Sequence, residues 1–298
     1  MDGFAPPSPL HDVARDITYA HAARSRSGRA VIRGLEAVTG RPHLLRRARG
    51  YQSAIAQGAN FWEEMARRYG IRPQILRGDL SAIPDRGPVV VVANHPYGIL
   101  DGLILSLILA RRRPQGFKIM ANDVFLRAPE LSDIVLPVSF EESRAAQARN
   151  LAMRKVAVDD LVAGGALGIF PGGAVSTPAR PFGPARDPHW RGFAAKLIRA
   201  SGATVVPVHF EGSNSRLFHI ASHLHANLRT GLLIREFRAR TDGPVRLSVG
   251  TPIPPREIAQ MPLNKRELMA FLRERTYALG QQSPELGFDW DKQKAGCT

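Results

Sequence analysis

Two residues able to move a proton stand where a run of valines stops. In VVVVANHPYGILDG (residues 89–102) four valines lead through Ala93 into Asn94 and His95, and Asp101 follows six positions after the histidine. A carboxylate beside an imidazole fixes its tautomer and makes the far nitrogen basic enough to take a proton from a hydroxyl. A plainer arrangement fits the same residues, with His95 capping the following helix and Asp101 a first-turn charge near its positive end. The fragment by itself leaves both open. Pro96 and Gly98 shape the intervening turn, and Gly98 gives the chain room to fold back.

Two further stretches end in the same way. IFPGGAVSTPARPFG (169–183) reads as a buried strand that stops at Pro171, Gly172 and Gly173, with Ser176 just beyond. Paired glycines let main-chain N–H groups approach a ligand oxygen and can form an oxyanion-binding nest. VVPVHFEGSNSRLF (205–218) is a third apolar strand running into a polar loop. In open α/β sheets, ligands gather beyond the carboxyl ends of strands, so three such ends pool their residues at one edge.

The elements required to hold them are legible as a rhythm. From about residue 80, strands (GPVVVVAN, FKIMA, VLPVSF, ALGIFPGG, TVVPVHFEG, VRLSVGTPI) alternate with helices (LDGLILSLILARRR, ESRAAQARNLAMRKVAVDDLVAGG, HWRGFAAKLIRASG). That order predicts an α/β fold, a mostly parallel sheet flanked by helices, with a basic N-terminal helical segment ahead of it. The expected organisation is a tail and helical, membrane-associating segment over 1–79, an α/β domain over 80–255, and a closing helix and tail over 256–298. In the first segment Val31, Ile32, Leu35 and Val38 recur at helical spacing among arginines. That pattern suits a helix lying on anionic headgroups, and equally one packed on its own domain with a solvated arginine face.

Forty-one Lys+Arg against 26 Asp+Glu give the 298 residues a formal charge of +15. Such a surface attracts polyanions: nucleic acid, an anionic bilayer or an acidic carrier protein. A non-enzymatic basic protein that binds nucleic acid or membrane is therefore the alternative reading. It lacks any nucleic-acid-binding motif, and the arginine-rich run at 24–49 has Tyr51 only just past its end. A single cysteine, Cys297, excludes an intrachain disulfide framework and fits a reducing compartment. The N-terminus does not read as a signal peptide, and no apolar run is long enough to span a bilayer. There is no G-x-S-x-G elbow, Walker A loop or G-x-G-x-x-G after a strand. His219, His223 and His225 come without an H-E-x-x-H pattern, and no metal site is expected from them.

Taken in order, Asn94–His95 … Asp101, then FPGG, then VVPVHFEGSNS, the chain resembles the glycerolipid (lysophospholipid, PlsC-like) acyltransferase family. It is most similar to the bacterial hemolysin branch, which carries an N-H-P-x-G-x-x-D-G block. The resemblance covers roughly residues 80–255. It implies transfer of a fatty acyl group from acyl carrier protein or coenzyme A to a hydroxyl of a lyso-lipid in membrane lipid biosynthesis. No cofactor is implied, since the thioester is a co-substrate. The implied partners are that thioester, the lyso-lipid and an anionic membrane surface rather than nucleic acid, with the protein cytoplasmic and peripheral on the inner face of the membrane.

Residue by residue, the resemblance makes His95 the general base and Asp101 its orienter, with Asn94 beside them. It offers Arg127 for an acceptor phosphate, matches Phe170, Pro171, Gly172 and Gly173 to the F-P-x-G turn with Ser176 following, and puts Pro207 in an apolar-proline block. Three departures stand out. Five residues separate His95 from Asp101 where four are commoner, Gly172 replaces a usual glutamate, and Val175 replaces a usual arginine. Losing a guanidinium there removes a bidentate phosphate anchor. Arg180, Arg186 or Arg191 could substitute, or the acceptor could be a lyso-lipid without a phosphate, such as an amino-acid-containing one.

Overall fold

A computed structural model describes residues 18–23, 25–121, 131–137, 144–283 and 285–289. Its centre is a seven-stranded sheet built from β1 (Arg72–Arg77), β2 (Val89–Ala93), β3 (Lys118–Ala121), β4 (Val135–Pro137), β5 (Ala166–Ile169), β8 (Thr204–Phe210) and β9 (Pro244–Val249). β6 (Thr177–Pro178) and β7 (Ala185–Arg186) form a separate antiparallel ribbon. The sheet order is β1-β9-β8-β2-β5-β3-β4, and every pairing is parallel except β8 with β9. The mostly parallel α/β sheet expected from the sequence is the sheet observed.

The valine strand β2 is central, between β8 and β5, and wholly buried. Because side chains alternate across a strand, Val89, Val91 and Ala93 face one core and Val90 and Val92 the other. The first core is closed by α2 (Arg41–Ala48), α3 (Tyr51–Ala56), α4 (Phe61–Tyr69), α5 (Ile99–Arg112) and part of α9 (Ala226–Arg238). The second is closed by α6 (Arg144–Val162), α7 (Gly192–Ser201), α10 (Pro255–Gln260) and α11 (Lys265–Leu279). Helix α5 is apolar nearly all round because it lies between the sheet and α4, so it has no solvent face to make polar.

The N-terminal segment is part of this body. β1 falls before residue 80 yet pairs in parallel with β9, and Leu44, Ala48, Tyr51, Trp62 and Met65 belong to the sheet's first core. Helix α1 (Arg26–Thr39) lies on α9. There Gly231 gives the space, since a Cβ on it would sit 2.8 Å from Leu35 Cδ1. Helix α1 packs on its own domain through Ile32, which is buried, while Val31, Val38, Arg26, Arg29 and Arg33 face solvent. Among the described residues no helix is long and apolar enough to cross a membrane.

Candidate active site

β2 and β8 run parallel, so their carboxyl ends share an edge. Asn94 ties the two ends together. Its Nδ2 donates to Phe210 O at 2.9 Å and its Oδ1 accepts from Phe210 N at 2.7 Å. His95 comes next, with only 19% of its side chain exposed, and Phe170 at the end of β5 stacks on its ring at 4.1 Å.

The extra residue between His95 and Asp101 is absorbed by the turn. Gly98 takes a φ of 86°, in the region that L side chains avoid, and the chain folds back into α5. Asp101 is then the third residue of that helix and completely buried. Its Oδ2 accepts the N–H groups of Tyr97 (2.7 Å) and Gly98 (2.9 Å), and His95 Nδ1 lies 3.0 Å from the same oxygen. The imidazole approaches off-line rather than in a well-aligned hydrogen bond. Such bonds commonly align only when substrate binds. Burial pushes the Asp101 carboxyl up, opposed by His95 and by the two N–H groups. Asp101 is thus both the first-turn carboxylate expected at the start of α5 and the group that meets the histidine, whereas the cap position is Gly98 rather than His95.

A second buried carboxylate, Asp187, organises the rest. Its Oδ1 accepts from His95 N at 3.1 Å and from the Ser176 hydroxyl, and its Oδ2 accepts from Trp190 Nε1 at 2.8 Å. Its own N–H donates to Tyr277 Oη at 2.8 Å, and its carbonyl accepts from Arg273 at 3.0 Å. Ser176 N in turn donates to His95 O at 2.7 Å. Gly172 passes so close that a Cβ there would lie 3.3 Å from Asp187 Cβ. One side chain thus links the histidine's main chain to the glycine turn.

An imidazole at a strand end, backed by a buried carboxylate and stacked beside a glycine turn, is suited to general-base chemistry on a hydroxyl. The profile of the family described as Acyltransferase matches residues 76–211. Over those residues the chain is similar to that family. A lyso-glycine lipid O-acyltransferase of Phocaeicola vulgatus is 27% identical over 182 residues, 59% of this chain and 62% of that protein. One of Bacteroides thetaiotaomicron is 31% identical over 141 residues, 47% of this chain and 49% of that protein. The chain thus spans about half to three fifths of the length of these curated relatives. The crystal structure of the 1-acyl-sn-glycerophosphate acyltransferase PlsC from Thermotoga maritima aligns over 90% of this chain and 94% of that one, with a TM-score of 0.45 and 15% identity.

The expected site residues divide. His95, Asp101, Phe170 and Gly172 are brought together around the end of β2. Others, expected to bind substrate, are committed to the protein. Asn94 spends its amide on Phe210, and the buried hydroxyl of Ser176 goes to Asp187. Gly173 N–H closes the turn onto Phe170 O, and Pro171 O accepts from Arg191 N. Pro207 sits inside β8 opposite Val92, packed on Gly250, rather than at the strand end. Arg127 lies outside the described residues.

Among the arginines, Arg186 bonds to Ser283 O, and Arg180 is exposed in the loop after β6. One that sequence reasoning passed over stands beside Val175. Arg229 of α9 donates to Val175 O (2.8 Å) and Thr177 Oγ1 (2.7 Å), and burial lowers it to about 10. The three histidines do not converge on a common point. His219 is buried, lowered to about 4 by burial with Arg229 nearby, His223 Nε2 faces Pro178 O at 3.1 Å, and His225 caps α9. Asp187 and Arg229 gave no signal in the sequence, since each lies in a stretch that reads as surface charge.

Proposed function

We propose that the protein is an O-acyltransferase that moves a fatty acyl group from a thioester to the hydroxyl of a lyso-lipid. The observation that carries this is the buried Asp101 Oδ2, held by two main-chain N–H groups, 3.0 Å from His95 Nδ1. Held so, His95 Nε2 takes the hydroxyl proton while the acceptor oxygen attacks the thioester carbonyl. The tetrahedral oxyanion collapses, the C–S bond breaks, and the proton passes from His95 to the leaving thiolate. Asp101 stabilises the imidazolium formed between these steps. Gly173 N–H being spent, Gly172 is the turn's donor toward the oxyanion. Ser176 is buried and bonded to Asp187, which supports direct transfer through a ternary complex without an acyl-enzyme.

The acceptor in this reading carries an amino-acid headgroup. Val175 stands where the family usually has a phosphate-anchoring arginine, and the curated relatives are named for a lyso-glycine lipid. The donor is acyl carrier protein or coenzyme A, either of which suits a chain of charge +15. No cofactor enters the chemistry. The protein works peripherally on the inner face of the cell membrane.

Purified protein is to be given a lyso-glycine lipid or 1-acylglycerol 3-phosphate, each with acyl carrier protein and coenzyme A thioesters. Ester formation with the glycine lipid, abolished in His95→Ala, is the expected result. Undiminished turnover by that variant overturns the base assignment, and a preference for the phosphate acceptor overturns the headgroup.

A further inference from the structure

Helix α8 (Arg216–Leu224) starts six residues past the end of β8, on the same edge of the sheet as His95. The connection is tight, for Tyr97 Oη donates to Glu211 O at 2.5 Å. Inward, α8 buries Phe218, His219, Ala221 and Ser222. Outward it presents Leu217, Ile220 and Leu224, exposed by 50%, 36% and 71%. Spaced by three and four residues, they form one stripe along the helix. The loop after β6 extends this surface. His223 Nε2 touches Pro178 O, the turn closed by Gly183 N and Arg180 O folds over Pro178, and Phe182 stands at its tip with 79% exposure.

Cationic side chains flank these apolar ones. Arg216 and Arg180 are exposed beside the stripe and beside Phe182. Between residues 178 and 225 the carboxylates are Asp187, which is buried, and Glu211, half-buried. An apolar stripe with a cationic rim is what an anionic bilayer interface accepts: side chains enter the acyl boundary while guanidinium groups meet the headgroups. The exposed apolar residues of α6, Leu151, Val156 and Val162, differ in both respects. They share their helix with the exposed Lys155–Asp159 pair and form no single stripe.

We infer that α8 and Phe182 form a surface by which this protein docks on an anionic bilayer, with the His95 edge of the sheet turned toward the lipid. The inference rests on the lyso-lipid reading of the site, because it gives that edge a reason to face a membrane. Sedimentation with vesicles needs no turnover, so it can fail or succeed independently of acyl transfer.

The full chain is tested on phosphatidylcholine vesicles with and without phosphatidylglycerol. Wild type is expected to bind the anionic vesicles, less so as salt rises. The triple variant Leu217→Gln, Ile220→Gln, Leu224→Gln should lose at least ten-fold in partitioning, and Leu151→Gln, Val156→Gln, Val162→Gln on α6 should not. Because the triple variant could fold poorly, Leu224→Trp provides a second measurement, with emission expected to shift to the blue on anionic vesicles. Equal partitioning by a folded α8 variant, or unchanged emission from Leu224→Trp on vesicles that bind the protein, overturns the inference. So does a wild-type dimer in solution that the α8 variant alone dissolves, since a second copy would then cover the stripe.

Discussion

Asp187 Oδ1 accepts the main-chain N–H of His95 at 3.1 Å across a sequence separation of 92 residues. The same oxygen takes the Ser176 hydroxyl, and the other takes the Trp190 indole. The strand end that carries the proposed base and the turn that carries the proposed oxyanion donor are thereby held by one carboxylate. Asp187→Asn must place an amide NH2 against a donor whichever way it is turned. An unsatisfied buried donor costs about 1–3 kcal/mol. A misplacement on the order of 1 Å costs roughly 100-fold in transfer. The expected outcome is a fall mostly in kcat with KM for the acceptor little changed, checked by steady-state kinetics beside a denaturant titration.

Ser176→Ala separates two roles that one residue could fill. If its hydroxyl only completes the Asp187 cluster, removal costs about 1 kcal/mol of stability and leaves kcat within several-fold. A loss matching that of His95→Ala would instead make Ser176 a nucleophile.

Asp101→Asn sets activity against stability. The amide oxygen can still accept from Tyr97 N and Gly98 N, so the cap on α5 is retained. What disappears is a buried negative charge beside an imidazole. Transfer should fall about 100- to 10,000-fold, with stability at neutral pH unchanged or slightly raised. The sign follows from the pKa: burial raises this carboxyl in the folded state, so it is held as the acid more readily there than in the unfolded chain. Wild type should therefore lose ground to Asp101→Asn as pH rises from about 4 toward neutrality. Unfolding at several pH values measures this, and a gap that widens toward acid contradicts it.

Much of this site was legible because strand ends in a parallel sheet must converge. Four valines buried on both faces placed β2 at the centre, and His95 and Asp101 followed from it. β1 was missed because its exposed, polar sequence RPQILR is that of an edge strand, whose pairing with β9 no local pattern announces. The positions of Asn94 and Asp187 were hidden for another reason: their partners lie about a hundred residues away, and a hydrogen bond has no sequence period. Of the apolar residues read as one face of α1, Ile32 and Leu35 meet α9 while Val31 and Val38 stay exposed, because spacing alone does not say which of them a neighbouring helix covers.

Gly98→Ala tests how the longer spacing is tolerated. A methyl group here meets a φ of 86° and neighbours at 3.1 Å (Leu233 Cδ2) and 3.2 Å (Val175 Cγ2). The strain is about 1–3 kcal/mol. Any relaxation moves the N–H groups that hold Asp101 Oδ2. Transfer should drop more than ten-fold with the fold retained, as circular dichroism and kcat would show together. The equivalent change at Gly102, around which a Cβ meets nothing within 4 Å, should be close to neutral for transfer.

The buried histidines away from the proposed base predict a pH-dependent stability that does not involve it. Burial lowers His209 and His219 from 6.5 to about 4. Between those limits the unfolded chain binds protons that the native protein refuses, so their contribution is intact above about 6.5 and lost as pH falls toward 4. The penalty is on the order of 2–3 kcal/mol for each at the acid end. Glu64 is held near 2, chiefly by Arg67, and its loss begins only below its ordinary 4.5. Destabilisation between pH 6.5 and 4.5 is thus assigned to the histidines. Urea titrations at pH 7.5, 5.5 and 4.5 should show falling stability, and His209→Gln with His219→Gln should flatten the first two points. An unchanged slope in that double variant would mean both rings are protonated in the folded protein.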